Sequence, residues 1–193
     1  MAAPLLPYFD ESEASPELRE LLGRLPVKLN LFRMMAHAQT SIKPVMRLGA
    51  AILSKQKLDP LSRELVVMQA MALQHGEYEW VQHVPIAHDV GITAEQLAAI
   101  EAGQGDAACF DARQRTLLRF TTEAVQRVGV TEEAMLQARQ HFDPREIVEI
   151  LLTVGFYSMM ARLTESTRVE LDVDGGPEVV AALRERAASR KPA

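Results

Sequence analysis

The segment that follows Asp59-Pro60 constrains this chain more than any other. It reads LSRELVVMQAMALQH from Leu61 to His75. An aspartate can cap free N–H groups and a proline's fixed φ suits a first turn, so the spacing predicts a helix from Pro60 onward. Leu61, Leu65, Val66, Val67, Met68, Met71, Ala72 and Leu73 cover more than one of its faces. A helix that is apolar most of the way round belongs at the centre of a fold or at a subunit contact. Glu64 on that helix needs a partner, because an unpaired carboxylate in apolar surroundings is costly.

The remainder supplies helices to surround it. Ser15-Pro16 predicts a short helix through about Leu22, and Asn30 starts another. From Ser41 a helix carries Val45, Leu48, Ile52 and Leu53 on one stripe, with Pro44 tolerated in its first turn. Gly76 breaks the central run, and Gly91 closes the next helix. Thr93 with Gln96 forms a capping box, Asp111 caps a helix with Leu117, Leu118, Phe120, Ala124 and Val128 inward, and Thr131 starts a further one. Asp143-Pro144 repeats the Asp-Pro start and opens a second apolar centre, with Ile147, Ile150, Leu151, Val154, Tyr157, Met160, Ala161 and Leu163 at helical spacing. Gly155 inside it suggests close helix approach. A last helix spans about 177–191, with cations in its closing turns. No segment alternates with period two, so the fold class is all-α.

At 193 residues the chain suits one domain, 1–193, with a core over about 40–170 and a proline-rich, extended N-terminal arm, 1–16, expected to lie across a neighbouring surface. The net charge is −5 with basic residues scattered, which argues against nucleic acid and for a small molecule or a protein partner. The single cysteine, Cys109, permits no intramolecular disulfide and no two-cysteine redox couple. No apolar run approaches the eighteen or so residues of a membrane span, and no secretory leader is evident, so a cytoplasmic location is expected.

Titratable and aromatic residues crowd only between Glu77 and Gly91. Glu79 and His83 are four apart and share a helical face. A carboxylate beside an imidazole can fix its tautomer and keep a proton available near neutral pH. Glu64 joins them if the break at Gly76 folds the two helices together. The same pair also reads as a plain exposed contact, Trp80 with Val84 and Ala87 as core, and Tyr78 as packing at a helix start. Pro85 deprives the Val81 carbonyl of a donor and distorts the helix. His75 and His88 fit helix ends, and His37 a surface position. His83 and His88, five apart, fall off one face, and no metal-ligand spacing accompanies them, so no metal is expected.

The run Arg63-Glu64, an apolar helix, then G-x-Y-E-W-x-x-H-x-x-x-A-x-x-x-G, here Gly76, Tyr78-Glu79-Trp80, His83, Ala87 and Gly91, resembles the carboxymuconolactone decarboxylase and alkylhydroperoxidase D-like superfamily. The resemblance implies a helical bundle with a central antiparallel helical hairpin. It also implies homo-oligomers, commonly trimers or hexamers with dimers possible, and active sites near subunit contacts. The peroxidase branch uses a C-x-x-C pair served by a glutamate and a histidine; here Gly76 and Glu79 take the cysteine positions, and Glu64 and His83 the supporting ones. Peroxide reduction needs a thiolate and a resolving thiol, and Cys109 is remote from both positions. The resemblance therefore points to the decarboxylase branch, with cofactor-free acid/base chemistry on a small carboxylated lactone. In that reading His83 delivers a proton, Glu79 orients it and Glu64 assists, while Tyr78, Arg63 and Trp80 contact substrate. The alternative is a non-catalytic oligomer that binds a ligand or partner.

Overall fold

The computed structural model describes residues 3–25, 27–127, 129–172 and 176–189, with side chains of the last helix described at 177–182 and 185. Among them are ten α-helices and no strand: α1 Pro16–Gly23, α2 Asn30–Met35, α3 Ile42–Lys55, α4 Pro60–Gln74, α5 Glu77–Asp89, α6 Ala94–Glu101, α7 Ala112–Gln126, α8 Glu132–Ala138, α9 Pro144–Thr167 and α10 Gly176–Ser189. Val128 and the closing cations Arg190 and Lys191 lie outside the described residues.

Local chemistry sets these boundaries. The Asp59 side chain accepts from Ser62 N–H, and Asp143, Asp111 and Thr93 each form a reciprocal capping box with the residue three positions on. α4 packs against α5, α6, α7 and α9. Leu65, Val66 and Met68 on one side enter a core built with α7 and α9, whereas Val67, Ala70 and Met71 enter another with Ile52, Tyr157 and Ala161. Two cores meeting on one rod explain why that rod is apolar nearly all round.

α4 and α5 form the antiparallel hairpin. Glu64 meets His83 across it, and Leu61 lies beside Gly91. Its turn places His75 in the left-handed region at φ 54°, while Gly76 keeps an ordinary negative φ. Gly76 answers a different need: a Cβ there would come within 2.7 Å of Met71 Sδ and 3.2 Å of Ala161 Cβ.

Several expectations change. Gly155 is exposed and a Cβ there would meet nothing; the close approach of α3 and α9 is at Gly49, whose Cβ would lie 2.8 Å from the Phe156 ring. Leu48 is exposed because the packed line of α3 runs through Ile42, Gly49 and Ile52, and successive helical residues differ by about 100°. Leu151 also faces outward. The arm lies across its own chain: Leu5 N–H donates to Thr167 O at 2.9 Å, Phe9 N–H to Arg33 O, and His37 Nε2 lies 2.8 Å from Pro7 O. α9, at 24 residues, is long and apolar enough to cross a membrane, contrary to the reading of the apolar runs. Its inward positions instead pack on α3, α4, α5 and α7, as a core helix's do.

Candidate functional site

Burying α4 beside α5 places Glu64 out of solvent, and two neighbours compensate its charge. His83 Nδ1 lies 2.7 Å from Glu64 Oε2, and Arg63 Nε donates to Oε1 at 3.0 Å. Burial raises the Glu64 carboxyl, but the contacts to His83 and Arg63 outweigh it and hold the group below its ordinary range. An ionised Glu64 accepts from Nδ1–H, and in a neutral imidazole the lone pair is then at Nε2. His83 stands edge-on to the Tyr157 ring at 4.9 Å. The helix-spacing reading paired His83 with Glu79; the hydrogen bond is made by Glu64 instead, from the facing helix.

Glu79 is buried on the same face of α5 as His83, and its oxygens lie 3.0 and 3.2 Å from Thr164 Oγ1 of α9. Burial dominates here. Its own backbone N–H, the Thr164 hydroxyl and His83 offset only part of that penalty, so the carboxyl is pushed up to about 7. Glu64 and Glu79 thus differ by environment: one is an ionised anchor and the other holds a proton near neutrality.

Glu79 and His83 open onto a cavity of about 500 Å³. Tyr78, Gln82, Tyr157, Phe156 and Met160 share that wall, while α1, α2, α3 and α10 supply mostly apolar walls such as Leu21, Phe32, Met46 and Val180. Tyr157 is buried, its phenol held above its ordinary range first by burial and then by the Glu64 charge. Its hydroxyl makes no hydrogen bond with a described residue. The sequence reading placed Tyr157 in the core, and nothing in its helical spacing separates it from Ile150 or Val154.

The other candidates fall elsewhere. Tyr78 borders the cavity, but its hydroxyl is engaged: it donates to Asp172 Oδ2 at 2.5 Å and accepts from Leu31 N–H at 3.5 Å. Gln82 Nε2 also donates to the Asp172 carbonyl, so α5 is tied to the segment leading into α10. Arg63 does not line the cavity; its Nε donates to Glu64 and its Nη1 to Leu53 O at 3.0 Å, while its Nη2 is buried without a partner among the described residues. Trp80 is likewise off the cavity, packed between the two cores of α4. Pro85 and Val81 are both exposed and neither lines the cavity. His88 Nδ1 lies 3.0 Å from Ile92 O, at the helix end as expected. Cys109 is half-buried against the α4–α7 core and does not reach the cavity. Among the described residues no group of His, Cys, Asp and Glu could hold a metal ion.

Residues 42–123 match the model of the carboxymuconolactone decarboxylase family. Among solved structures, the chain is similar to the alkylhydroperoxidase AhpD core of an uncharacterized peroxidase-related protein from Ralstonia eutropha JMP134, with 19% identity, 95% of this chain and 98% of that one covered, and a TM-score of 0.75. A second uncharacterized peroxidase-related protein, from Silicibacter sp. TM1040, aligns at 20% identity over 90% and 96% of the two chains, with a TM-score of 0.72. A cysteine-to-alanine variant of the debrominase Bmp8, in complex with 2,3,4-tribromopyrrole, aligns at 12% identity over 97% of each chain, with a TM-score of 0.67. No curated protein matches. The matched segment spans the α3–α7 region and so carries the Glu64–His83 hairpin, and the chain as a whole shares the helical fold of these solved structures.

Proposed function

We propose that this protein is a cofactor-free acid/base enzyme of the decarboxylase type, acting on a carboxylated lactone or related cyclic acid by decarboxylation or isomerisation. The observation that carries the reading is the pair on one cavity wall: Glu79, kept protonated near neutral pH by burial, and His83, fixed by Glu64 with Nε2 left over. In isomerisation, His83 Nε2 takes a proton from carbon and Glu79 returns one to the neighbouring unsaturated carbon. In decarboxylation, the bond to the carboxylate breaks, carbon dioxide leaves, and the electron pair moves into the conjugated carbonyl. Glu79 then gives its proton to carbon and is reprotonated from solvent, so one proton is consumed for each carbon dioxide released. Tyr157 lines the same cavity, and its hydroxyl would donate to the carbonyl oxygen as negative charge gathers there.

Thiol peroxidase chemistry is not supported, since Cys109 lies away from the cavity and no second cysteine is present in the sequence. The complex of the debrominase relative with a tribromopyrrole supports use of this fold to hold a small ring. Carbon dioxide release and double-bond migration from carboxylated lactones test the proposal. His83→Ala and Glu79→Gln should each lower kcat/KM by about a hundredfold or more. Equal rates in the wild type and both variants would overturn it and leave a ligand-binding protein as the reading.

A further inference from the structure

The cavity has a charged end that acid/base chemistry does not use. Lys43 and Arg47 both line it, both are exposed, and neither makes an ion pair with a described residue. They sit four apart on α3, where like charges repel, and Lys43 occupies the first turn, where the positive end of the helix disfavours a cation. No acid is present in that turn to offset them. Arg24, paired with Glu20, brings a third cation to the same cavity. Local physics opposes this arrangement, and an anion bound at that end would reverse the sign.

The position of that end is fixed by α3. At its other end, the Leu53 carbonyl accepts from Arg63, which holds Glu64, which holds His83. Leu53 therefore marks the acid/base end, and a rise of about 1.5 Å per residue sets Arg47 about 9 Å and Lys43 about 15 Å away along the helix. The wall between them is Met46, Gly49, Ala50 and, from α9, Phe156, all apolar. A small lactone carries its carboxylate on the ring and cannot touch both ends at once.

We propose that the cavity takes an elongated amphipathic carboxylate, with its anionic head on Lys43 and Arg47, a medium-length apolar body along α3, and its reacting end beside Glu79 and His83. The reacting end rests on the acid/base reading; the head and the body do not. A volume of about 500 Å³ suits such a ligand, since small-molecule pockets run from roughly 300 to 1,000 Å³.

Calorimetric titration of the full chain with octanoate, decanoate and dodecanoate tests this, with 1-decanol as the uncharged counterpart of decanoate. Affinity should rise by about fourfold for each added methylene until the cavity is full. Lys43→Ala combined with Arg47→Ala should weaken decanoate by about five- to tenfold and leave 1-decanol unchanged. Both side chains are exposed, so the double variant should fold, and circular dichroism verifies that it does. An affinity independent of chain length, or an equal loss for acid and alcohol, overturns the inference. Chain-length-dependent binding without turnover of any carboxylate would sink the acid/base reading alone. Turnover of a short carboxylated lactone, unchanged in the double variant and with no chain-length dependence of binding, would sink this inference alone.

Discussion

Taking a carboxyl from water into an apolar wall favours its proton, and Glu79 is where that preference has a measurable consequence. Its folded value of about 7 lies above the ordinary 4.5, so the native state binds the proton more tightly than the unfolded chain. Stability from this group is complete below about pH 4.5 and is lost as pH rises through about 7. The loss is on the order of 3 kcal/mol. Urea unfolding across this range should show the wild type losing stability relative to Glu79→Gln, and parallel curves would contradict it. The sequence singled out the residues that meet here but not how they pair. Spacing of four on α5 suggested Glu79 for His83, yet the bond is made by Glu64 from α4. Spacing along one helix is local, whereas a bond across a hairpin depends on how closely two helices pack, which the composition of neither discloses. Thr164, 85 positions from Glu79, was out of reach for the same reason.

Among the elements, the hairpin was the most legible, because its limits are written in chemistry: Asp59-Pro60 starts it and Gly91, at φ 99°, ends it. Its turn was less so. Gly76 marked the break, but the left-handed residue is His75, and Gly76 sits where a Cβ would crowd Met71 and Ala161. A left-handed residue with a Cβ is strained by about 1–2 kcal/mol, and glycine returns part of that gain as chain entropy in the unfolded state. His75→Gly, exposed and away from the cavity, should therefore raise unfolding stability by up to about 1 kcal/mol, and chemical denaturation reads the sign directly. The far walls of the cavity were not legible. Leu21, Phe32, Met46 and Val180 come from four separate elements, and a residue that faces a void has the same composition as one that faces a neighbour.

For the whole molecule, the outer side of α9 stands out. Val148 is 55% and Leu152 49% exposed, Leu151 and Met159 are also exposed, and exposed Gly155 lies between them. These positions recur at helical spacing and form one apolar stripe. We propose that a second copy of the chain covers it, with Gly155 permitting a close crossing there, which the expectation of a homo-oligomer anticipated and the glycine's lack of an internal neighbour supports. Sedimentation should show Leu152→Asp shifted towards the monomer; an unchanged profile would place any self-contact elsewhere. The stripe shares its rod with Tyr157 and Thr164, which face inward to His83 and Glu79. A wall and an outer contact that share one helix cannot be loosened separately. Turnover per chain should therefore fall on dilution, making enzyme concentration itself a variable of the rate.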